Sequence, residues 1–543
     1  MVNFGYFLLR NADCFPDRTA VVCEDRELTY SQLNAECNRL ANALKLKGLR
    51  RGDRLALLMK SSTEWLVVWY ACQKLGVAVL PLHARLMAGE LVRTIDTAGC
   101  GCLVFGSEFA GQAESILQSC RGLRLSICCL RQGDPRPDCA DALFEELVSE
   151  ADPGEAQEEL RPEDESVILF TSGTTGVSKG VLRTQQMVRD HALVLAIANE
   201  PSETPEAILT PAPLYHTAGL FCILKSAALA ATLILVSSFD PEKICRQIES
   251  RKATEVLMLP PISYQRLYQS EAARKYDLSS VRLALVTAGK CTKACIDDIF
   301  EMFPNCKLRP SWGSTEVCSA TGCNLSRQQL RERPELMSTV GRLNALVEVR
   351  IVDETGAQVP VGVPGEALVR SPLVFKGYLG REDEQDGIFV DGWFRTEDIM
   401  RVDADGYYYL VDRKRDIVKT GGENVYAQEI ERVLQSHPAV MDSAVVGVPD
   451  PRFGEAIAAA IVLNPGAELS ADELLDFCVA NLASYKKPRY WALLDSLPEN
   501  SVGRYRKTFS GRTPQRYLQG SPDVPVEAGG ARLLCRSGSP APR

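Results

Sequence analysis

The sequence has little histidine, and the arrangement of the few histidines excludes the common metal motifs. The 543 residues include four of them: His83, His191, His216 and His437. They form neither an HxxxH nor an HExxH pair, and none of the 19 cysteines belongs to a CxxC pair. Zinc and iron sites usually need such spacings. We therefore expect no protein-bound zinc or iron, and we expect reduced, mostly buried cysteines.

The sequence also lacks an excess of positive charge. Its 61 lysines and arginines are outnumbered by 70 aspartates and glutamates, so the net charge is −9. The field of the whole molecule therefore does not favour nucleic acid as a partner. The apolar run within the N-terminal segment MVNFGYFLLR is too short for a signal peptide, so we expect a cytoplasmic protein.

One apolar stretch, residues 219–239, is about long enough to span a bilayer. Lys225 interrupts it, and β-branched residues cluster only in its second half. This pattern predicts a buried helix followed by a buried strand, and no membrane span.

The order of apolar patterns along the chain predicts the fold class. A chain of 543 residues is longer than one hydrophobic core usually organises, so at least two domains are expected. From about residue 20 to 350, strand-like runs alternate with helical patterns, which is typical of α/β domains with parallel sheets. Residues 342–411 contain short strands and glycine turns, so a small β-rich subdomain is expected. Helix and strand patterns resume after 412–416, and the tail from Ser510 is predicted to be mostly disordered.

The segment FTSGTTGVSKG, residues 170–180, concentrates glycines, hydroxyls and one lysine after the strand-like run ESVILF. Glycine lets backbone N–H groups approach a ligand closely, and hydroxyls and lysine complement oxyanions. The spacing does not fit the usual P-loop pattern. A flexible linker has a similar composition, but a strand leads directly into this segment. We therefore predict a loop that binds phosphates.

Further segments carry complementary chemistry. SWGSTEV (311–317) offers an aromatic ring, hydroxyls and a carboxylate of the kind that binds Mg²⁺. DGWFRTED (391–398) ends in acidic residues after a tight turn, as expected of a ribose-binding segment. PLYHTAGL (213–220) places a histidine between proline and glycine, and a basic cluster with a double glycine occupies 412–422.

The order of these motifs resembles that of the adenylate-forming superfamily, which includes acyl-CoA synthetases, aryl-CoA ligases, firefly luciferase and nonribosomal adenylation domains. The resemblance extends over about 490 residues. It implies that a carboxylate attacks the α-phosphorus of ATP with loss of pyrophosphate, and that a thiol then displaces AMP. It also implies that a small C-terminal domain rotates between the two steps.

The resemblance implies three regions in the chain and the bounds of each. Residues 1–411 would form an α/β N-terminal domain of two doubly wound sheet subdomains and a small β-rich subdomain. Residues 412–509 would form the small mobile α+β domain, and 510–543 the disordered tail.

By resemblance, sixteen positions are expected to contact the nucleotide. They are Thr171, Ser172, Gly173, Thr174, Thr175, Gly176, Lys179, Ala288, Gly289, Lys290, Trp312, Gly313, Ser314, Thr315, Asp398 and Arg413. Lys179 would neutralise phosphate charge, Thr315 would contact the α-phosphate, and Glu316 would ligate Mg²⁺. Asp398 would accept both ribose hydroxyls with support from Arg413, and Trp312 would flank adenine.

Other positions would serve the thiol step. His216 would form the gate between the acyl and thiol channels, and Arg415 would be the hinge. The loop bordering the pantetheine tunnel of CoA would include Lys419, Gly421, Gly422 and Glu423. Simpler interpretations remain open: Trp312 as core packing, Asp398 as a helix N-cap, and His216 as a buried structural histidine. Glu397 stands where the family usually has glycine.

The expected substrates are ATP with Mg²⁺, a carboxylic acid and CoA. No aspartate lies near His216 in the sequence to pair with an α-ammonium group, and burying an unpaired ammonium would be costly. We therefore expect a carboxylic acid without an α-ammonium group. A free-standing acyl carrier protein is the alternative acceptor. A rival from another class is a non-catalytic nucleotide-binding scaffold, which the phosphate loop, Glu316 and Asp398 disfavour.

One departure from the family concerns catalysis directly. The family's last motif presents a Gly-Lys pair whose lysine enters the active site during adenylation, and here the pair is Gly503-Arg504. Arginine keeps the charge but differs from lysine in shape. Adenylation is therefore expected to be weakened relative to thioester formation, and in the extreme a partner enzyme would supply the acyl adenylate.

Overall fold

A computed structural model describes residues 3–24, 26–156, 158–171, 179–287, 289, 291–380, 387–420, 423–450, 454–497 and 532–534. The chain divides into two compact units. The first comprises Met1–Val349 and Val369–Arg395, and the second comprises Arg350–Leu368 and Thr396–Arg543.

Helices and strands are numbered here in chain order. The helices are α1 Gly5–Cys14, α2 Tyr30–Leu46, α3 Thr63–Leu75, α4 Ala88–Ala98, α5 Ala110–Ser119, α6 Phe144–Glu150, α7 Gln185–Ile197, α8 Thr217–Leu229, α9 Pro241–Arg251, α10 Ile262–Tyr268, α11 Ala272–Lys275, α12 Lys293–Met302, α13 Arg327–Glu332, α14 Ala427–Gln435 and α15 Ala471–Asn481. The strands are β1 Thr19–Cys23, β2 Arg26–Thr29, β3 Arg54–Leu58, β4 Ala78–Pro81, β5 Cys102–Gly106, β6 Leu125–Cys129, β7 Ala142–Leu143, β8 Glu165–Thr171, β9 Lys179–Thr184, β10 Ala207–Thr210, β11 Thr232–Leu235, β12 Glu255–Leu257, β13 Leu283–Val286, β14 Lys307–Ser314, β15 Cys318–Gly322, β16 Arg342–Leu343, β17 Glu348–Val352, β18 Gly365–Arg370, β19 Phe389–Val390, β20 Trp393–Val402, β21 Tyr408–Arg413, β22 Ile417–Thr420, β23 Glu423–Tyr426, β24 Val440–Asp450, β25 Gly454–Leu463, β26 Tyr490–Leu493 and β27 Arg532–Leu534.

The first unit contains two large sheets, as predicted. One has the strand order β7-β6-β5-β3-β4-β8-β9 and is parallel except for the β8–β9 hairpin. The other has the order β16-β15-β14-β13-β12-β10-β11-β1-β2, with antiparallel pairs only at its two edges. The predicted α/β class is confirmed. The carboxyl ends of parallel strands share one sheet edge, which is where α/β proteins usually bind ligands.

The apolar stretch 219–239 folds as predicted, as the buried helix α8 followed by β11. Ala230 ends the helix in a left-handed conformation, with φ of 51°. Lys225 is tolerated inside because its buried ammonium pairs with the carboxylate of Glu255 on β12. Among the described residues, no helix is both long and apolar enough to cross a membrane.

The second unit contains two further groups of strands. Strands β17, β18 and β20 are adjacent, and β21 pairs with β20. The other sheet has the order β23-β22-β25-β26-β27, with β24 paired to β25, and α14 and α15 contribute to its core. Within the tail, Arg532–Leu534 forms a strand that pairs with β26, and the mostly disordered state of the tail stays a prediction. The rest of 510–543 lies outside the described residues.

The described cysteines are all unpaired. Of these eighteen, fourteen are buried, as expected. Burial raises the pKa of several of their thiols, for example to about 12 for Cys100 and Cys306. These side chains therefore act as small apolar groups in the core.

Candidate active site

The hairpin β14–β15 presents the residues of SWGSTEV. Gly313 is required here, because a Cβ at this position would lie 1.7 Å from the carbonyl oxygen of Cys318. The backbone N–H of Trp312 donates to Thr321 Oγ1 at 3.1 Å, and the side chain of Trp312 is 5 % exposed. The contact of Trp312 with adenine stays a prediction.

The carboxylate of Glu316 is held on both oxygens. Ser314 Oγ donates to Oε2 at 2.7 Å, and the Tyr378 hydroxyl donates to Oε1 at 3.0 Å. The Glu316 carbonyl accepts from the backbone N–H of Phe375 at 2.9 Å. These bonds fix the orientation of the carboxylate, whose binding of Mg²⁺ stays a prediction.

Thr315 is held through both its side chain and its backbone. Its Oγ1 lies 3.2 Å from Thr217 Oγ1 at the start of α8. Its carbonyl accepts from the guanidinium of Arg183 at 2.5 Å, and that buried guanidinium also donates to Cys318 Sγ. A cation that bonds on both sides of Glu316 stiffens the turn of the hairpin.

The described ends of the predicted phosphate loop belong to the β8–β9 hairpin. Thr171 pairs with Lys179, and Thr171 Oγ1 donates to the Lys179 carbonyl at 3.4 Å. The Lys179 ammonium lies 4.7 Å from the centroid of the Tyr378 ring. The five predicted phosphate contacts from Ser172 to Gly176 lie outside the described residues.

His216 precedes α8, which starts unusually close to the segment before it. A Cβ on Gly219 would lie 2.5 Å from Leu214 Cα, so glycine permits this approach. The half-buried His216 ring lies 5.2 Å from the ring of His83 and 4.6 Å from that of Tyr215, measured between centroids. His216 is therefore part of an aromatic cluster at the carboxyl ends of β4 and β10.

The segment after β13 is described only in part. Ala288 and Lys290 lie outside the described residues, whereas Gly289 is described. The hydroxyl of Thr287 donates to the Ser311 carbonyl at 3.0 Å, so this segment lies beside the start of SWGSTEV.

In the second unit, Asp398 and Arg413 form an ion pair, and their roles in holding the ribose stay predictions. They face each other across β20 and β21, with Arg413 Nε 2.7 Å from Asp398 Oδ1. Asp398 lies within a strand, so the N-cap alternative does not apply to it. Glu397, where the family usually has glycine, has φ of 59°, in the left-handed region that glycine adopts at little cost. The backbone at this position therefore keeps a conformation typical of glycine despite the substitution.

The remaining predicted residues are described to different extents. Arg415 lies in a short 3₁₀ helix, Lys414–Asp416, but its side chain lies outside the described residues. Lys419 lies in β22, and its backbone N–H donates to Glu455 at 2.7 Å. Glu423 lies in β23, where only its backbone is described. Gly421, Gly422 and Arg504 lie outside the described residues.

Tyr378, Arg183 and Asp412 were not among the residues predicted from the sequence. Asp412 is buried and accepts from the backbone N–H of Gln428 at 3.0 Å in the first turn of α14. Arg183 and Tyr378 reach the candidate site across long sequence separations. Their only local signals were an arginine inside an apolar strand and a tyrosine between glycines, neither of which specifies a partner.

The chain matches two sequence families. The family AMP-binding enzyme matches residues 8–379, and the family AMP-binding enzyme C-terminal domain matches residues 429–504. A long-chain-fatty-acid–CoA ligase of Mycobacterium tuberculosis is 32 % identical over 94 % of this chain and 98 % of its own length. A feruloyl-CoA synthase of an Amycolatopsis species is 32 % identical over 93 % and 98 %. A fatty acid–[acyl-carrier-protein] ligase of Streptomyces coeruleorubidus is 30 % identical over 90 % and 92 %.

Solved structures agree with these relatives. ATP-bound MatB from Rhodopseudomonas palustris superposes with a TM-score of 0.83, at 29 % identity over 93 % of this chain and 98 % of its own. The O-succinylbenzoate coenzyme A synthetase of Bacillus subtilis in complex with ATP and magnesium gives a TM-score of 0.78, at 28 % identity over 92 % and 98 %. The resemblance inferred from the motifs is confirmed. The chain belongs to the AMP-binding family of adenylate-forming enzymes and is an ATP-dependent acid–thiol ligase of the acyl-CoA synthetase type.

Proposed function

We propose that this protein converts a carboxylic acid without an α-ammonium group into its CoA thioester. The observation that carries the proposal is the grouping of Lys179, Thr315 and Glu316 in the first unit, where each is fixed by contacts outside its own motif. A cation and a hydroxyl complement the phosphates of a nucleoside triphosphate, and a carboxylate complements its Mg²⁺.

The reaction has two balanced steps. An oxygen of the substrate carboxylate attacks the α-phosphorus of ATP, and the bond from this phosphorus to pyrophosphate breaks. The sulfur of CoA then attacks the acyl carbon, the bond to the AMP oxygen breaks, and the thiol proton is released. Thr315 and Lys179 stabilise phosphate charge in the first step, and Asp398 holds the ribose through both. His216 borders the path of the thiol.

The residues present fit a magnesium ion. Among the described residues, no three histidines, cysteines, aspartates or glutamates cluster as a complete metal site. Mg²⁺ typically needs only one or two carboxylates when substrate phosphates and water complete its coordination. Glu316, with both oxygens oriented, would hold the ion, which supplies positive charge next to the phosphates.

Among the described residues, the acidic residue that follows His216 most closely in the sequence is not available to pair with an ammonium group. Asp240, the first acidic residue after His216, is engaged as the N-cap of α9. Its carboxylate accepts from the backbone N–H groups of Glu242 and Lys243 at 3.0 and 3.2 Å. The relatives named for long-chain fatty acids and ferulate support aliphatic or aryl acids as candidates.

CoA is the preferred acceptor, and a free-standing acyl carrier protein is the alternative, supported by the Streptomyces relative. A location in the cytoplasm fits the many unpaired cysteines, because that compartment keeps thiols reduced.

A panel of aliphatic, aryl and amino acids tests the proposal. Each acid is incubated with ATP, Mg²⁺ and either CoA or a carrier protein, and pyrophosphate and thioester are measured. We expect pyrophosphate with at least one non-amino acid, and its CoA ester by mass spectrometry. Turnover of amino acids alone would overturn the assignment of the acid. ATP binding without pyrophosphate release from any acid would favour a nucleotide-binding scaffold.

A further inference from the structure

Tyr378 touches two functional groups that come from distant parts of the sequence. Its hydroxyl donates to Glu316 Oε1 at 3.0 Å, and the Lys179 ammonium lies 4.7 Å from the centroid of its ring. One side chain thus contacts both the candidate magnesium ligand and the candidate phosphate cation. No sequence motif assigned it a role.

The backbone around Tyr378 is attached to both motifs. Tyr378 forms a bridge with Val181 on β9, and the Leu379 N–H donates to the Gly180 carbonyl at 2.8 Å. The Phe375 N–H donates to the Glu316 carbonyl at 2.9 Å. The position of the phenol is therefore set by the two elements that it contacts.

The contacts of Phe375 fix the ring further. The centroids of the Phe375 and Tyr378 rings lie 4.9 Å apart at an interplanar angle of 64°. Phe375 is 2 % exposed, so it provides a rigid support for the tyrosine.

We infer that Tyr378 is a positioning residue that sets the magnesium ligand Glu316 and the phosphate lysine Lys179 in one fixed arrangement. The inference rests on the proposed function. The phenol restricts rotation of the carboxylate and leaves lone pairs on both oxygens for a metal. The ring face attracts the lysine ammonium and limits where it rests.

The two contacts have separable consequences. Hydrogen-bond partners of a metal-binding carboxylate typically change metal affinity by about 10- to 100-fold. Loss of a partly exposed cation–π contact corresponds to roughly a two- to fivefold change. Tyr378→Phe removes only the hydroxyl, whereas Tyr378→Leu removes the hydroxyl and the aromatic face.

The experiment measures binding of α,β-methylene-ATP by calorimetry, in EDTA and in excess Mg²⁺. We expect Tyr378→Phe to bind the metal-free analogue as the wild type does, but to lose about 10- to 100-fold of the affinity gained on adding Mg²⁺. We expect Tyr378→Leu to show the same loss and, in addition, roughly two- to fivefold weaker binding in EDTA. Because the analogue cannot be cleaved between its α- and β-phosphates, the result does not depend on which acid is activated.

Tyr409→Phe is the matched control. Its hydroxyl also donates to a carboxylate, Asp403 Oδ2, at 2.9 Å, but in the second unit. This variant should keep the full effect of Mg²⁺. Thermal unfolding of each variant checks that it is folded, and the mild Tyr378→Phe substitution preserves the test if the leucine variant unfolds.

The inference is overturned if folded Tyr378→Phe keeps the magnesium effect within twofold of wild type, because the phenol would then only pack. It is also overturned if Tyr378→Phe weakens binding equally with and without Mg²⁺. Failure of the proposed function would appear differently, as an absence of pyrophosphate release by wild type with every acid while this binding pattern persists.

Discussion

At the scale of single residues, Asp398 offers a direct test of nucleotide recognition. It is 1 % exposed and pairs with Arg413, so Asp398→Asn, which keeps the shape, is preferable to truncation. Charge-assisted hydrogen bonds contribute about 1.5–3 kcal/mol each. We expect ATP affinity to fall by about 10- to 100-fold in calorimetric titration.

Glu397→Gln is the control for Asp398. It removes the exposed carboxylate of the residue that precedes Asp398 and should leave ATP affinity nearly unchanged. Unchanged affinity in Asp398→Asn would remove this residue from the ribose site and leave it a structural partner of Arg413.

The second prediction at this scale concerns pH and His191. This buried histidine lies 3.1 Å from Ser319 Oγ, and burial, aided by the nearby Arg183 charge, lowers its pKa to about 3. The unfolded chain binds a proton near pH 6.5, so the stability due to neutral His191 is complete above that pH and falls between pH 6.5 and 3. For one such group, the loss between pH 8 and pH 5 is about 2 kcal/mol.

His191→Gln should remove this dependence. The difference in melting temperature between wild type and variant is measured from pH 8 to pH 5, with His437→Gln as a control in the second unit. We expect wild type to lose melting temperature faster than His191→Gln as the pH falls. Parallel curves for the two proteins would show that His191 does not set this dependence.

At the scale of secondary-structure elements, the 3₁₀ helix Lys414–Asp416 contains the predicted hinge. Arg415→Pro fixes φ near −65° and should hinder rotation of the small domain. We expect the acyl adenylate to form at a near-normal rate while thioester formation falls. Arg415→Ala, which leaves the backbone free, should retain both half-reactions. Normal rates of both steps in the proline variant would place the hinge elsewhere.

Many elements could be predicted from the sequence, because their patterns are local. The periodicity of α3, β10, β13 and β24 is visible in short windows, and the glycine-rich motifs mark loops at strand ends. Strand order was not predictable, since β1 pairs with β11 across more than two hundred residues. The contact between Tyr378 and Glu316 was not predictable for the same reason, because it forms only when segments distant in the sequence pair.

At the scale of the whole molecule, the sequence predicted a boundary at 411/412 from a change in pattern. The compact units instead group 350–368 with the chain from 396 onward. Local composition does not record which sheet a strand joins. The domain that rotates during the reaction, and its limits at 412–509, stay predictions.

The last prediction concerns cooperation between domains. The resemblance implies that the small domain delivers a cation during adenylation, and that Arg504 stands where the family usually has lysine. A misplacement near 1 Å can cost about a hundredfold in rate. We expect Arg504→Lys to accelerate pyrophosphate release and to leave CoA capture of supplied acyl adenylate unchanged. If wild type already adenylates as fast as it forms thioester and lysine adds nothing, the replacement is neutral.

Formation of an acyl adenylate is tested by following transfer of oxygen from the acid to the nucleotide. An acid that the panel identifies is labelled with ¹⁸O in its carboxylate and converted with ATP, Mg²⁺ and CoA, and the nucleotide product is analysed by mass spectrometry. The carboxylate oxygen that attacks the α-phosphorus stays on phosphorus when the thiol displaces AMP. We expect one ¹⁸O atom per AMP, with AMP and CoA ester formed in equal amounts. AMP without label, or ADP with labelled phosphate, would contradict it.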